Sequence, residues 1–148
     1  MKTRLMNMIK IINPNTNEVV VLDKVKKEGW EGLTFPGGKI EENESLMAAA
    51  IREAKEETDL DIKNLKFVGF ITWLGEEFKD VGLLYQTTDF YGKLVAENRE
   101  GNLSWVDYEK FKKMDGMSLS MDKILKIYEG EYSEIFWDVR TDEISYIK

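Results

Sequence analysis

The sequence predicts a fold of the α/β (α+β) class, in which helices cover a mixed β-sheet. Strand-like and helix-like segments intermix along its 148 residues, which are enough for one domain with one buried core. Hydrophobic residues make up 43% and charged residues 33%, as in ordinary globular proteins. We therefore expect residues 1–148 to form one domain.

The first third of the chain predicts two strands joined by a turn, followed by a loop and a helix. Met8–Ile12 and Val19–Leu22 are rich in β-branched residues, and Asn13–Asn17 between them has the composition of a tight turn. Lys24–Gly32 predicts a polar loop. Apolar residues at helical spacing then predict a helix at Leu46–Thr58.

The rest of the chain predicts further strands and two shorter helices. The segments rich in β-branched and aromatic residues, which predict strands, are Leu65–Trp73, Val81–Phe90 and Leu103–Val106. Helical stretches are predicted at Asp107–Met114 and Met121–Glu129. Glu134–Val139 and Ile144–Ile147, around the polar residues 141–143, predict a C-terminal β-hairpin. This hairpin would suit a dimer contact or a simple edge of the sheet, so a monomer and a homodimer both remain open.

The chain contains neither Cys nor His, which restricts the chemistry that it can perform. Without Cys there is no disulfide and no thiol nucleophile, and without His the commonest general base and transition-metal ligand is missing. Acid–base and metal chemistry must therefore depend on Asp and Glu. Carboxylate oxygens favour Mg²⁺, Mn²⁺ or Ca²⁺ over zinc.

The charge balance argues against nucleic acid as a partner. The formal net charge is −7 and the sequence pI is about 4.8, whereas nucleic-acid binding needs many Lys and Arg side chains to neutralise phosphates. A single small anionic substrate is still compatible, because a bound divalent cation reverses the local field. No apolar run approaches the roughly 20 residues of a membrane helix. We expect a cytoplasmic protein with no membrane partner.

The predicted helix, with Ser45 as its N-cap, carries acids where apolar residues are expected. On a helical wheel, the apolar arc expected to face the core contains Met47, Ala50, Ile51 and Ala54. The side expected to face solvent contains Ala48, Arg52, Lys55 and Glu56. Glu53 and Glu57 fall at the margin of the apolar arc, and like charges at this spacing repel. A bound divalent cation would relieve that repulsion, whereas a solvated face with an Arg52–Glu56 pair is the alternative.

The surroundings of these acids resemble the Nudix box, G-x5-E-x7-R-E-U-x-E-E-x-G-U with U aliphatic. Eight of its nine fixed positions match: Gly38, Glu44, Arg52, Glu53, Ala54, Glu56, Glu57 and Leu60. The lead-in Thr34–Lys39 is also similar to that of the family. Asp59 stands where the family has Gly, at a position after the helix that favours a positive φ, which Asp tolerates. The resemblance implies the Nudix fold, an α/β/α sandwich.

The resemblance also implies a metal site. The family binds divalent metal through the box acids, here Glu53, Glu56 and Glu57, often with the carbonyl group that corresponds to Gly37. We expect Mg²⁺ as the cofactor, with Mn²⁺ as a substitute. A later acid often completes the site, and Glu100 is favoured over Glu97 for this role, with an exposed loop acid as the alternative.

Further residues receive roles in catalysis and substrate binding. Arg52 is expected to orient the adjacent glutamate, and Glu44 to act at the edge of the acid cluster. Glu53, Glu56 and Glu100 all remain open as the general base. The expected substrate-binding residues are Gly38 and Lys39, with Lys39 on phosphate, and an aromatic wall of Trp30, Phe35 and Phe78. For Lys39 a surface position, and for the aromatic residues ordinary packing, are the alternatives.

The lead-in and residues 99–106 look most like MutT-like nucleoside triphosphate diphosphatases, several of which act on 8-oxo-dGTP. The predicted reaction is Mg²⁺-dependent hydrolysis of a nucleoside triphosphate to the monophosphate and pyrophosphate, with a small-molecule nucleotide as the substrate. A hydrolase of a dinucleotide or nucleotide sugar is one alternative. A non-catalytic nucleotide sensor is another, although a sensor has no need of the complete acid set.

Overall fold

A computed structural model describes residues 1–25 and 29–148, so the predicted loop Lys24–Gly32 lies partly outside the described residues. The strands are β1 (Lys2–Asn13), β2 (Glu18–Lys24), β3 (Gly32–Thr34), β4 (Gly37–Lys39), β5 (Asp61–Lys63), β6 (Lys66–Leu74), β7 (Phe78–Thr87), β8 (Asp89–Tyr91), β9 (Glu97–Asn98), β10 (Gly101–Asp107), β11 (Glu134–Asp138) and β12 (Glu143–Ile147). The helices are α1 (Leu46–Thr58), α2 (Tyr108–Phe111) and α3 (Met121–Tyr128).

Ten of these strands form one mixed sheet, in the order β12-β11-β6-β7-β1-β2-β10-β9, with β3 on β2 and β4 on β1. The β1–β7 and β6–β11 pairs are parallel, whereas the other pairs are antiparallel. Strands β5 and β8 form a separate ribbon. The mixed sheet and the C-terminal hairpin are therefore confirmed.

Alternation along β1 separates two hydrophobic clusters, one on each face of the sheet. Ile9 and Ile11 pack with Ala50 and Ala54 of α1 on one face. Met6 and its even-numbered neighbours pack on the other face, where α2 and α3 lie. Helices thus cover both faces, as the α/β/α prediction requires. Within the described residues, no helix is long and apolar enough to cross a membrane.

Two elements end earlier than predicted, one where a side chain bonds the backbone and one where the backbone bonds another strand. The Val81–Phe90 strand stops at Thr87, whose hydroxyl donates to the Lys63 carbonyl and accepts from the Asp89 amide. The Asp107–Met114 helix reaches only Phe111, since the chain turns away so that the amide of Ser118 can bond the Leu33 carbonyl. Short strands β3 and β4 are not predicted from sequence, and their pairing with β2 and β1 explains them.

Helix α1 begins and ends where predicted, and Ser45 caps it by accepting from the Ala48 amide at 3.0 Å. Its predicted core face is partly wrong. Met47 and Ile51 are 40% and 37% exposed, and the buried positions are instead Ala49, Ala50, Ala54, Glu57 and Thr58. Helix α1 contacts the glycine-containing strand β4, where the small alanine side chains permit a close approach.

Asp59 ends α1 in the left-handed conformation, with φ 65°, and its amide donates to the Lys55 carbonyl at 3.0 Å. This is the conformation that glycine adopts freely at a helix C-terminus, and a side chain there costs about 1–2 kcal/mol. The Asp59 carboxylate pairs with the exposed Lys55 ammonium at 3.4 Å, which contributes little.

We expect Asp59→Gly to raise the free energy of unfolding by about 1 kcal/mol, because it removes the strain of the left-handed backbone. Urea denaturation measures the change. Asp61→Gly is the matched control, since Asp61 also pairs with Lys55 but has no positive φ. An equal or larger gain from Asp61→Gly would contradict the explanation.

Candidate active site

The glycines of β4 bring the strand against both β1 and the acids of α1. The Gly37 amide donates to Glu57 Oε1 at 2.7 Å, and the Gly38 amide donates to Asn7 Oδ1 at 3.0 Å. A Cβ atom on Gly38 would collide with the Glu53 carboxylate, and one on Gly37 would collide with the Asn7 carbonyl oxygen. Both positions therefore require glycine for these contacts to exist.

Arg52 joins three of the acids. Its guanidinium bonds both oxygens of Glu44, at 2.6 and 2.9 Å, and Nη1 contacts Glu53 at 3.0 Å and Glu56 at 3.1 Å. Nη2 also donates to the Lys39 carbonyl at 3.0 Å. The arginine lowers the pKa of Glu44 to about 2. Arg52 thus holds Glu53 in place, and the predicted alternative, an Arg52–Glu56 pair, is also present.

Glu53 and Glu57 point away from solvent, whereas Glu56 does not. The Glu56 side chain is 60% exposed and that of Glu53 only 14%. Burial, opposed by Arg52, raises the pKa of Glu53. Burial, together with a hydrogen bond to the Glu100 carboxyl, raises the pKa of Glu57 to about 9, although the Gly37 amide opposes the shift. Two acids of the helix are therefore held in an environment that disfavours their charge.

Glu100 reaches this cluster from the turn between β9 and β10. Its carbonyl accepts from the Val25 amide at 2.9 Å, and its side chain bonds Glu57. Glu97 is exposed on β9. The structure therefore brings together Glu53, Glu57 and Glu100, as the sequence suggested, and leaves Glu97 at the surface.

The donor set fits a hard divalent cation in its chemistry. All side-chain donors are carboxylate oxygens, and Glu57 and Glu100 lie close enough to share a proton, which a cation would replace. Among residues 1–25 and 29–148, however, no three acidic side chains are already arranged around one point as metal ligands. Binding would therefore require some of these carboxylates to reorient.

A cavity of about 280 Å³ opens beside the acids. Of the predicted substrate-binding residues, the ones that line it are Trp30, Phe35, Gly38 and Lys39. Phe35 is also buried in the core against Phe111 and Tyr128. Phe78 does not line the cavity, because the Arg4 guanidinium stacks on its ring at 3.7 Å and bonds Asp80 at 2.7 and 2.9 Å.

Several lining residues were not predicted from sequence, namely Arg4, Asn7, Trp73, Asp80 and Ser118. Trp73 meets Trp30 edge to face, with ring centroids 5.5 Å apart, and its Nε1 donates to Ser120. Asn7 Nδ2 is buried without a hydrogen-bond partner, an unusual state for an amide. These residues come from separate strands and loops, so no local pattern marks them.

The fold and the acids on helix α1 suit one class of protein, the hydrolases that cleave phosphate anhydrides with the help of a metal ion. A sequence model described as the NUDIX domain matches residues 1–126, so the chain belongs to the Nudix hydrolase family.

Curated relatives and solved structures agree with this assignment. The chain is 40% identical over 84 residues to the putative 8-oxo-dGTP diphosphatase YtkD of Bacillus subtilis, covering 49% of this chain and 53% of that protein. It is 31% identical over 116 residues to the oxidized purine nucleoside triphosphate hydrolase of Danio rerio, covering 73% and 69%. A MutT protein from Bacillus halodurans has the same fold, with a TM-score of 0.75 at 21% identity, over 97% and 95% of the two chains.

We expect the buried Glu57 to make the metal-free protein less stable as the pH rises. The folded chain keeps the Glu57 proton up to about pH 9, whereas the unfolded chain releases it near 4.5, so the stability contributed by Glu57 is fully present below pH 4.5 and is lost as the pH rises towards 9. Glu57→Gln keeps a neutral group there and should be more stable than the unaltered chain at pH 8, by about 2 kcal/mol.

Urea denaturation with EDTA at pH 5, 6.5 and 8 measures this difference. The advantage of Glu57→Gln should shrink as the pH falls, and the exposed Glu97→Gln should show none. An advantage of constant size at all three pH values would contradict the assignment to Glu57.

Proposed function

We propose that the protein hydrolyses a nucleoside triphosphate of the 8-oxo-dGTP type to the nucleoside monophosphate and pyrophosphate, with Mg²⁺ as its metal. The observation that carries this proposal is the position of Gly37 and Gly38. Both line the cavity, and each also contacts a box glutamate, Glu57 and Glu53 respectively. A nucleotide in the cavity would therefore have its phosphates next to the acids.

The charges around the cavity support an anionic ligand. The cationic residues Arg4, Lys24 and Lys39 line it, with Asp80 as the acidic residue among them, although the whole chain carries −7. Arg4 is paired with Asp80, which leaves Lys24 and Lys39 to meet phosphate. We therefore propose that Lys39 contacts phosphate.

We assign the metal to Glu53, Glu56, Glu57 and Glu100, with the Gly37 carbonyl. Bound Mg²⁺, or Mn²⁺ in its place, supplies neutralisation of phosphate charge and an acidified water. Glu53 is the general base that the geometry favours, because its carboxylate abuts Gly38 at the cavity wall and is held by Arg52. Water attacks a phosphorus of the diphosphate bridge, the bridging P–O bond breaks, and the base takes the water proton.

The aromatic corner of the cavity supports a nucleobase as the second half of the ligand. Trp30 and Trp73 stand at 89° to each other, so a flat ring that stacks on one indole would present its edge to the other. The names of the relatives YtkD and the Danio rerio enzyme favour an oxidised purine for that ring.

We expect Mg²⁺-dependent release of pyrophosphate, rather than orthophosphate, from 8-oxo-dGTP in a panel with dGTP, ADP-ribose and a dinucleotide. Glu53→Gln should lower kcat at least about 100-fold, because it removes both a metal ligand and the base. Glu97→Gln, an exposed acid near Glu100, is the matched control and should retain full activity.

Three outcomes would overturn the proposal. Release of orthophosphate would mean that a different bond of the triphosphate is cleaved. If Glu53→Gln turned over substrate as fast as the unaltered chain, the acids would have no role in catalysis. Tight binding of one nucleotide without any turnover would favour the alternative that the protein is a non-catalytic nucleotide sensor.

We expect Trp30→Ala to raise KM for the nucleotide about 10-fold with a smaller effect on kcat, because stacking on a base contributes about 1–3 kcal/mol. Trp30 is 37% exposed, so its removal should leave the fold intact. Tyr91→Ala, at a 60% exposed aromatic outside the cavity, is the control. An unchanged KM in Trp30→Ala would exclude Trp30 as part of the base site.

A further inference from the structure

Asn98, the last residue of β9, connects helix α1 to the turn that carries Glu100. Its Nδ2 donates to the Glu57 carbonyl at 3.0 Å, and its Oδ1 accepts from the amides of Glu100 at 2.8 Å and Gly101 at 3.1 Å. We propose that Asn98 is a positioning residue, which sets the Glu100 carboxyl against that of Glu57. The inference rests on the proposed function, because it concerns the role of both glutamates in metal binding.

The turn itself needs this support. Asn98 pairs with Gly101 across β9 and β10, so Arg99 and Glu100 form a two-residue hairpin turn. Such turns usually have residues with positive φ, yet neither Arg99 nor Glu100 has one. A type I turn needs no positive φ, and an asparagine at its first position stabilises it through the side-chain oxygen. The Asn98 oxygen accepts from the amides of Glu100 and Gly101 in this way.

The other end of the Asn98 amide fixes the helix. The last four carbonyls of a helix lack partners within it, and the Glu57 carbonyl is among them. Asn98 supplies its partner, and the Val95 amide supplies that of Thr58 at 3.1 Å. One planar amide group thus holds the backbone of Glu57 and the backbone of Glu100 at a fixed separation, and their side chains meet as a result.

Without the Asn98 side chain, the backbone of the turn would be attached to the chain at the end of β2 but not to α1. The Glu100 carbonyl would keep the Val25 amide, and Gly101 would keep its place opposite Lys24. The hairpin would therefore persist while Glu100 lost its fixed position relative to α1. Residues that orient metal ligands typically change metal affinity by about 10–100-fold when replaced.

The experiment compares Asn98→Ala and Asn98→Ser with the unaltered full chain. Direct Mn²⁺ binding without nucleotide is measured by electron paramagnetic resonance, and amide hydrogen exchange of Glu100 and Gly101 is measured in EDTA. We expect Mn²⁺ affinity to fall about 10-fold in Asn98→Ala. Asn98→Ser should recover part of it, because a serine hydroxyl accepts from the amide two residues on. Exchange at both amides should accelerate in Asn98→Ala.

Asn13→Ala is the matched control. Asn13 Oδ1 accepts from the Asn15 amide at 3.0 Å, the same arrangement in the turn between β1 and β2, with no acidic cluster attached. Its loss should affect melting temperature without changing Mn²⁺ affinity. An equal loss of affinity in Asn13→Ala would overturn the inference.

Glu57→Gln separates this inference from the proposed function. If Glu57→Gln binds Mn²⁺ weakly while Asn98→Ala binds it as tightly as the unaltered chain, the positioning role is wrong and the proposed function stands. If Glu57→Gln itself binds Mn²⁺ with unaltered affinity, the proposed function is wrong and the inference fails with it.

Discussion

The contact between helix α1 and strand β4 is the constraint on which the site depends. Gly38 has no side chain where the Glu53 carboxylate lies, and the Gly37 amide bonds Glu57 directly. Ala50 and Ala54 let the helix approach the sheet closely enough for both contacts. A larger side chain at any of these positions would push the acids away from the strand that borders the cavity.

This close approach concentrates negative charge, and the structure balances it in three ways. Arg52 shares its guanidinium among Glu44, Glu53 and Glu56. The Gly37 amide offers a hydrogen bond to Glu57, and Glu57 keeps a proton that it shares with Glu100. Each of these is weaker than a divalent cation in the same place, since the arginine lies on one side only and the proton neutralises one charge. The acids are therefore held close together, but their negative charge is not fully compensated.

The local part of this arrangement could be predicted from sequence, and the long-range part could not. Spacing along one helix places Glu53 and Glu57 together whatever the rest of the fold does. The helical wheel failed at Met47 and Ile51 because it assumes that the largest apolar side chains face the core, whereas the positions of α1 that pack against Ile9 and Ile11 are Ala50 and Ala54. Trp73 and Asn7 enter the cavity through strand pairing, which leaves no spacing pattern in the sequence.

The acids and the aromatic corner of the cavity therefore depend on different parts of the chain. Helix α1, β4 and the Glu100 turn hold the acids through backbone-directed bonds, including those of Asn98. The aromatic corner instead depends on Trp30, Trp73 and the segment before α3, where Ser120 holds the Trp73 indole. In the proposed function, substitutions in the corner would change which base fits without moving a carboxylate. Membership of the family consequently indicates the class of reaction, whereas we propose that the side chains of the corner select the substrate.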